Sequence, residues 1–140
     1  NFAKLFYSRK VELLTIQNMG LKILLIDDNE SNLFLVNAML KPKGYLVTAV
    51  NSGRKGLDLL MNEKFDAVLL DLQMPDISGY DVMEKIKGSE NPNKETPVAA
   101  LTAYVTKGER EHCLEAGMKA FITKPFTANG LVKVIGEMVG

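Results

Sequence analysis

From residue 21 onward, short apolar runs alternate with longer segments whose apolar residues recur at helical spacing. The short runs are nearly continuous, which is typical of strands buried on both faces of a parallel sheet. They predict strands over residues 21–26, 45–50, 67–70, 98–101 and 120–123. The longer segments predict helices over residues 31–41, 79–86, 107–116 and 131–139, and a further helix that begins at Ser52-Gly53. Glycines and prolines such as Pro42 and Gly44 separate the elements.

Five strand-then-helix units in succession predict an α/β fold, with helices on both faces of a parallel sheet. Right-handed crossovers restrict the topology, and we expect the flavodoxin-like strand order 2-1-3-4-5. Residues 21–140 form this predicted domain. Residues 1–20 do not fit the pattern, although their apolar residues are compatible with a short amphipathic helix. We interpret them as an upstream linker or a cloning remnant, with a partner-binding helix as the alternative.

Composition narrows the function classes only slightly. The 140 residues suit one domain, and 46% hydrophobic with 24% charged residues is the balance of a globular protein. Lysine plus arginine equals aspartate plus glutamate at 17 each, so net charge gives no reason to expect nucleic-acid or membrane binding. His112 is the single histidine, which excludes a metal cluster built from several histidines within the chain.

The compartment is predicted from three features. No apolar run reaches the roughly 18 residues needed to span a bilayer, and the first residues do not resemble a signal peptide. Cys113 is the single cysteine and cannot form an internal disulfide, which suits a reducing compartment. Its charged neighbours predict a position on a helix surface. We therefore expect a cytoplasmic protein.

Five polar residues lie where predicted strands end. Asp27 and Asp28 follow the first strand, Asp71 the third and Thr102 the fourth, while Lys124 ends the fifth. Ligands of open parallel sheets bind at this edge, so one cleft is expected to gather all five side chains. Two carboxylates about 5 Å apart repel by roughly 3 kcal/mol at an effective dielectric near 20. Three therefore call for a cation, and oxygen ligands favour Mg²⁺ or Mn²⁺. A metal ion plus a lysine beside a carboxylate suits phosphoryl transfer.

Four segments carry a family resemblance: Ile26-Asp27-Asp28-Asn29, Leu70-Asp71-Leu72-Gln73-Met74-Pro75, Leu101-Thr102-Ala103 and Ile122-Thr123-Lys124-Pro125-Phe126. Over about residues 21–140 the chain resembles the receiver domain of response regulators and hybrid histidine kinases. The resemblance implies that Asp71 accepts a phosphoryl group from a partner's phosphohistidine. It also implies direct Mg²⁺ ligation by Asp28, Asp71 and the backbone carbonyl of Gln73, with Asp27 acting mainly through a metal-bound water.

The resemblance implies further roles around the phosphoryl group. Lys124 contacts a phosphoryl oxygen, as do the hydroxyl of Thr102 and the backbone N–H of Ala103. Phe121 matches the switch aromatic that turns inward as Thr102 moves, although an ordinary core position is the alternative. The Lys124-Pro125 peptide is expected to be cis. Side chains two positions after the acceptor and the threonine, Gln73 and Tyr104, are expected to tune the phosphoryl lifetime.

Asn29 and Asn32 are similar to residues in receivers of hybrid kinases, although Asn32 alternatively serves only the start of the first helix. The resemblance thus implies a phosphorelay component that is not a conventional enzyme but catalyses its own phosphorylation and dephosphorylation. Its expected partners are a histidine kinase or phosphotransfer protein and a downstream effector. The face formed by the fourth helix, fifth strand and fifth helix would bind the effector, in a monomer or a phosphorylation-dependent dimer. Direct binding to nucleic acid or membrane is not expected.

Three other functions compete with this interpretation. A phosphatase with an aspartyl-phosphate intermediate typically has a second acid two residues after the nucleophile, where this chain has Gln73. A flavodoxin-like cofactor binder would need a glycine-rich phosphate loop after the first strand, where Asp27 and Asp28 stand instead. A degenerate receiver that takes no phosphoryl group would lack some of the acids, Thr102 or Lys124, all of which are present.

Overall fold

A five-stranded parallel sheet forms the centre of the computed structural model, which describes residues 1–5, 9, 19–103 and 105–140. The strands are β1 (Lys22–Ile26), β2 (Leu46–Val50), β3 (Ala67–Asp71), β4 (Val98–Thr102) and β5 (Ala120–Thr123). Their order is β2-β1-β3-β4-β5, and every neighbouring pair is parallel. The predicted fold class and strand order are confirmed.

Five helices alternate with the strands. They are α1 (Glu30–Leu40), α2 (Gly53–Asn62), α3 (Gly79–Lys87), α4 (Lys107–Glu115) and α5 (Ala128–Val139). Each begins after a side chain that accepts a hydrogen bond from the backbone N–H three residues on, which satisfies one otherwise unpaired donor of the first turn. These N-caps are Asn29, Ser52, Ser78, Thr106 and Thr127. As predicted, α1 closes at Pro42 and Gly44, through a short 3₁₀ turn, Lys41–Lys43, with φ +92° at the glycine.

Two apolar layers cover the two faces of the sheet, because successive strand side chains point to opposite sides. Ile23 and Leu25 of β1 pack with α1 and α5, whereas Leu24 and Ile26 pack with α2, α3 and α4. All four side chains are fully buried. Burial of one such side chain contributes about 2 kcal/mol, so the alternation along β1 fixes which helices lie on which face.

Cys113 corrects one expectation from the sequence. It was predicted on a helix surface, but its side chain is buried and belongs to the core layer beneath α3 and α4. Its Sγ lies 3.5 Å from the hydroxyl oxygen of Tyr80. Burial raises the pKa of the thiol, which disfavours the reactive thiolate. Cys113 is therefore a packing residue.

The amino-terminal expectations are largely untested. The described residues do not include residues 6–8, residues 10–18 or Tyr104. The expected effect of Tyr104 on the phosphoryl lifetime therefore stays a prediction. Residues 2–5 are helical, with Phe2 and Leu5 exposed. The division at residue 21 stays a prediction. Among the described residues, no helix combines the length and apolar character needed to cross a bilayer.

Asn93 holds the loop between α3 and β4 against the core. Its buried side chain accepts from the backbone N–H of Phe65 at 2.8 Å and donates to the carbonyls of Leu60 and Glu63 at 2.6 Å each. Asn93→Ala is expected to lower the free energy of unfolding by about 3 kcal/mol, because buried backbone groups lose their partners. Urea denaturation measures this loss. The exposed Asn62→Ala serves as the control, and an equally small effect of both substitutions would contradict the assignment.

Candidate active site and metal centre

The three aspartates meet at the carboxyl edge of the sheet. Because β1 pairs with β3 in the register Ile26 opposite Leu70, the acids that follow these two residues are brought together. Asp27, Asp28 and Asp71 each offer a carboxylate oxygen, and these oxygens all lie within 4.8 Å of one another. Asp27 is fully buried and Asp71 is 7% exposed, whereas Asp28 faces solvent. The predicted acidic cluster is present.

Asp27 is fixed by three contacts. Its Oδ1 accepts from the backbone N–H of Asn29 at 2.9 Å, and its Oδ2 accepts from the Asn32 side chain at 3.0 Å. The Lys124 ammonium lies 3.9 Å from the same Oδ2. The interpretation of Asn32 as a residue that only starts α1 is wrong, since Asn29 is the N-cap and the Asn32 amide orients a site carboxylate.

The surroundings of the Asp71 carboxyl oppose its ionisation. Burial and the neighbouring Asp27 carboxylate raise the pKa of Asp71 to about 7, against the stabilising hydrogen bond from the Gln73 N–H at 3.2 Å and the positive charge of Lys124. A bound cation would reverse this balance and favour the ionised form. The Asp71 carboxyl group is therefore favoured either in its neutral, protonated form or in its ionised form with a cation bound beside it.

This raised pKa predicts a pH-dependent stability without metal. Between pH 4 and 7 the folded protein holds the Asp71 proton more tightly than the unfolded chain, so the free energy of unfolding falls as pH rises through that window. The rise of this pKa from its ordinary value of 3.8 to about 7 corresponds to a loss of about 4 kcal/mol attributable to Asp71. Urea denaturation in EDTA at several pH values, comparing wild type with Asp71→Asn, measures it. Parallel pH profiles for the two proteins would contradict the prediction.

Thr102 and Lys124 complete the cleft from the next two strands. Thr102 ends β4, is 9% exposed, and donates from its hydroxyl to Glu109 Oε1 at 3.3 Å. The Lys124 N–H donates to the Thr102 carbonyl at 2.9 Å, which ties the loop after β5 to β4. Ala103 and Gln73 line the same cleft. The Lys124-Pro125 peptide is cis, as the resemblance implied.

Phe121 lies on β5 and is partly buried against the core layer beneath α4. The Arg110 guanidinium lies 5.1 Å from its ring centre, within the range of a cation–π contact. Phe121 packs against the core layer, which is expected both of an ordinary core residue and of a switch residue. The ring is half-buried and the Arg110 guanidinium lies against it, which fits a side chain that changes position. Its inward turn stays a prediction.

The donor set of the cleft fits a hard divalent cation. Three carboxylates with oxygen atoms this close repel one another unless a cation lies between them or one of them takes up a proton, and oxygen ligands favour Mg²⁺ over softer metals. Glu109 also lines the cleft, and sequence reasoning missed it. Its acidic character and its capping-box spacing from Thr106 do not point to the cleft, and its position seven residues after Thr102 matches no strand end.

Gly79 sets the shape of the loop behind Asp71. A Cβ at this position would lie 2.7 Å from the Asp71 carbonyl oxygen and 3.0 Å from Leu72 Cα, and neither backbone atom can easily move. Gly79→Ala is therefore expected to lower the free energy of unfolding by about 2 kcal/mol. Gly108→Ala meets no atom within 4 Å and is expected to stabilise α4 by about 0.5 kcal/mol. Urea denaturation compares the two, and effects of the same sign would contradict the prediction.

Comparison with known proteins identifies the family of the chain. Residues 23–136 match the family model of the response regulator receiver domain. The chain is 34% identical to the sensor histidine kinase GacS of Pseudomonas protegens over 90% of its length, and 31% identical to the polar-differentiation response regulator DivK of Brucella ovis over 87%. The receiver domain of sensor histidine kinase PA1611 from Pseudomonas aeruginosa superposes with a TM-score of 0.79 at 36% identity, covering 86% of this chain and 98% of that one.

Fold, site and relatives together define the class. The chain belongs to the response regulator receiver domain family and is a receiver of two-component signalling. It spans 14% of the length of the GacS relative and 98% of DivK, so receivers of this kind occur both within large sensor kinases and as most of a small regulator. The PA1611 receiver was crystallised with a magnesium ion coordinated in its active site cleft.

Proposed function

We propose that this receiver accepts a phosphoryl group onto the carboxylate of Asp71 from a phosphohistidine of a histidine kinase or phosphotransfer protein. The observation that carries the proposal is the convergence of the three acids, Thr102 and Lys124 in one cleft at the carboxyl edge of the sheet. An Asp71 oxygen attacks phosphorus, the phosphorus–nitrogen bond breaks, and the leaving imidazole keeps or takes up a proton.

The residues around Asp71 would hold the transferred group. Lys124, Thr102 and Ala103 line the cleft. The Lys124 ammonium, the Thr102 hydroxyl and the Ala103 N–H would contact the phosphoryl oxygens. Such donors stabilise the charge that spreads over the oxygens during phosphoryl transfer. Lys124 already lies 3.9 Å from Asp27, so it can exchange one acidic partner for another within the cleft.

The cation that fits this site is Mg²⁺, or Mn²⁺ in its place. Asp28, Asp71 and the carbonyl of Gln73 would bind it directly, and Asp27 would bind through water. When bound, the ion offsets carboxylate repulsion and neutralises charge on the phosphoryl oxygens. The magnesium-bound cleft of the PA1611 receiver supports this assignment.

The expected output is a change in partner binding rather than turnover of a small substrate. Thr102 ends β4 beside the start of α4, and Phe121 lies on β5, so both adjoin the α4–β5–α5 face. We propose that phosphorylation alters this face, which then binds an effector protein or a second copy of the domain. The residue two positions after Asp71 is Gln73 rather than an acid, which argues against multiple-turnover hydrolysis of small phosphate esters.

Intact-mass spectrometry after incubation with Mg²⁺ and acetyl phosphate tests this function. One added phosphoryl group per chain is the expected result. If no adduct forms, and beryllofluoride also fails to bind in the presence of Mg²⁺, the domain is a degenerate receiver that acts as a fixed interaction module.

A further inference from the structure

The start of α4 contacts both residues that are proposed to respond to phosphorylation. Glu109 Oε1 accepts from the Thr102 hydroxyl, and the guanidinium of the next residue, Arg110, lies over the Phe121 ring. The helix itself is weakly anchored. Throughout Lys107–Glu115, which the structure describes in full, Cys113 is the buried residue.

Glu109 has a second possible partner within its own helix. Thr106 and Glu109 have the spacing of a capping box, in which each side chain bonds to the other residue's backbone N–H. Thr106 forms its half, since its Oγ1 accepts from the Glu109 N–H at 3.0 Å. Between these two described residues the reciprocal bond is not formed, whereas Ser78 and Asp81 form both halves at the start of α3. The Glu109 carboxylate points to Thr102 instead.

The bond between Thr102 and Glu109 is one that can be exchanged. At 3.3 Å it is longer than the usual 2.7–2.8 Å of an O–H···O hydrogen bond, so it is weak. Glu109 shares the cleft with three aspartates and Lys124. A phosphoryl group on Asp71 would add further negative charge there, and it would compete with Glu109 for the same hydroxyl proton.

We propose that Glu109 is a positioning residue that holds the Thr102 hydroxyl in the unphosphorylated domain and moves to the Thr106 N–H when Asp71 is phosphorylated. This inference rests on the function proposed above. The movement completes the capping box of α4 and leaves Thr102 to the phosphoryl oxygen. Because Arg110 follows directly, the same rearrangement of the first turn would shift the guanidinium from the Phe121 ring.

The substitution Glu109→Gln tests the competition. Glutamine can still cap the helix, but it lacks the charge that repels a phosphoryl group and is a weaker acceptor for Thr102. With saturating Mg²⁺, the initial rate of phosphoryl uptake from acetyl phosphate is expected to rise about tenfold, equivalent to about 1.4 kcal/mol. Glu111→Gln removes the same charge from an exposed position of α4 and is expected to leave the rate within about twofold. Equal rates for wild type and Glu109→Gln would overturn the inference.

A double-mutant cycle with Thr102→Val separates competition from a general charge effect. Valine has no hydroxyl to compete for, so adding Glu109→Gln to Thr102→Val is expected to change the rate by less than about twofold. A tenfold gain in that background too would show that Glu109 acts by charge alone and would overturn the role assigned through Thr102. If the wild type takes up no phosphoryl group, that result would instead contradict the proposed function, and this inference with it.

Discussion

Replacing Asp71 by asparagine is expected to abolish phosphoryl uptake. An amide oxygen is a poor nucleophile and cannot form the acyl phosphate, so the initial rate from acetyl phosphate should fall by about 1,000-fold or more. The substitution preserves shape and removes a carboxylate whose ionisation the site opposes, so the fold should be kept. Loss of uptake can then be attributed to chemistry rather than to unfolding. Intact-mass spectrometry over a time course measures the rate.

The matched control for this substitution is Asp58→Asn. Asp58 lies exposed on α2 and outside the cleft, so its loss changes net charge equally without touching the site. It is expected to take up phosphoryl groups at the wild-type rate. Uptake by Asp71→Asn at a comparable rate would place the acceptor on another residue and would remove the central role assigned to Asp71.

Removal of the divalent cation has the second largest expected effect. Without it, the carboxylates of Asp27, Asp28, Asp71 and Glu109 share the cleft with the ammonium of Lys124, and the incoming phosphoryl group meets a net negative site. EDTA is expected to lower the rate of uptake about 100-fold, and Mg²⁺ added back in excess should restore it. Undiminished uptake in EDTA would contradict the assignment of the three acids to a metal centre.

Asp28→Asn tests the same centre without a chelator. Asp28 is exposed, so the change should spare the core, and it removes one of the proposed direct ligands. The Mg²⁺ concentration for half-maximal uptake is expected to rise about tenfold. Glu30→Gln, on the exposed first turn of α1, removes a nearby charge that is not part of the acidic cluster and should cause little change. An equal rise in the half-maximal Mg²⁺ concentration for both variants would show that Asp28 acts through its charge alone and not as a metal ligand.

The alternation of apolar runs was sufficient to predict the fold. Helices cover both faces of the sheet, so its central strands are nearly continuous apolar runs, and the strand order follows from chirality and connection length. Boundaries were less certain. Asp71 and Thr102 were expected just after their strands, but each is the last strand residue, because backbone pairing continues to Asp71 opposite Leu101 and Thr102 opposite Thr123. The pattern marks where apolar side chains end, not where hydrogen bonding ends.

The site could be predicted where residues stand at strand ends, and it was missed elsewhere. Asn32 was considered only as a helix starter or family signature, since no local pattern shows that its amide turns back to Asp27. Glu109 carries a capping-box spacing that suggests a partner within α4, whereas the structure gives it Thr102. Both contacts join residues of different elements, and only the packed helices bring them together.

The burial of a single polar residue, or of a single residue with charged neighbours, also could not be predicted from the sequence. Cys113 lies among glutamates and a histidine, which suggested an exposed position on the helix. The rest of the helix is polar, and Cys113 is the one residue of Lys107–Glu115 that is buried in the core. Asn93 resembles its exposed neighbours in a polar loop, yet it supplies the bonds that the backbone around Phe65 requires. In both cases tertiary contacts decide, and local propensity does not.

The position of the phosphoryl group on the chain is the most direct test of the proposed function. Borohydride reduces an aspartyl phosphate to homoserine, and trypsin separates the candidates, with Asp71 in the peptide of residues 65–85 and Asp27 and Asp28 in that of residues 23–43. After reaction with acetyl phosphate and Mg²⁺, tandem mass spectrometry is expected to find homoserine at position 71. Homoserine at another position, or a phosphorylated protein that borohydride leaves unchanged, would contradict the proposal that Asp71 is the acceptor.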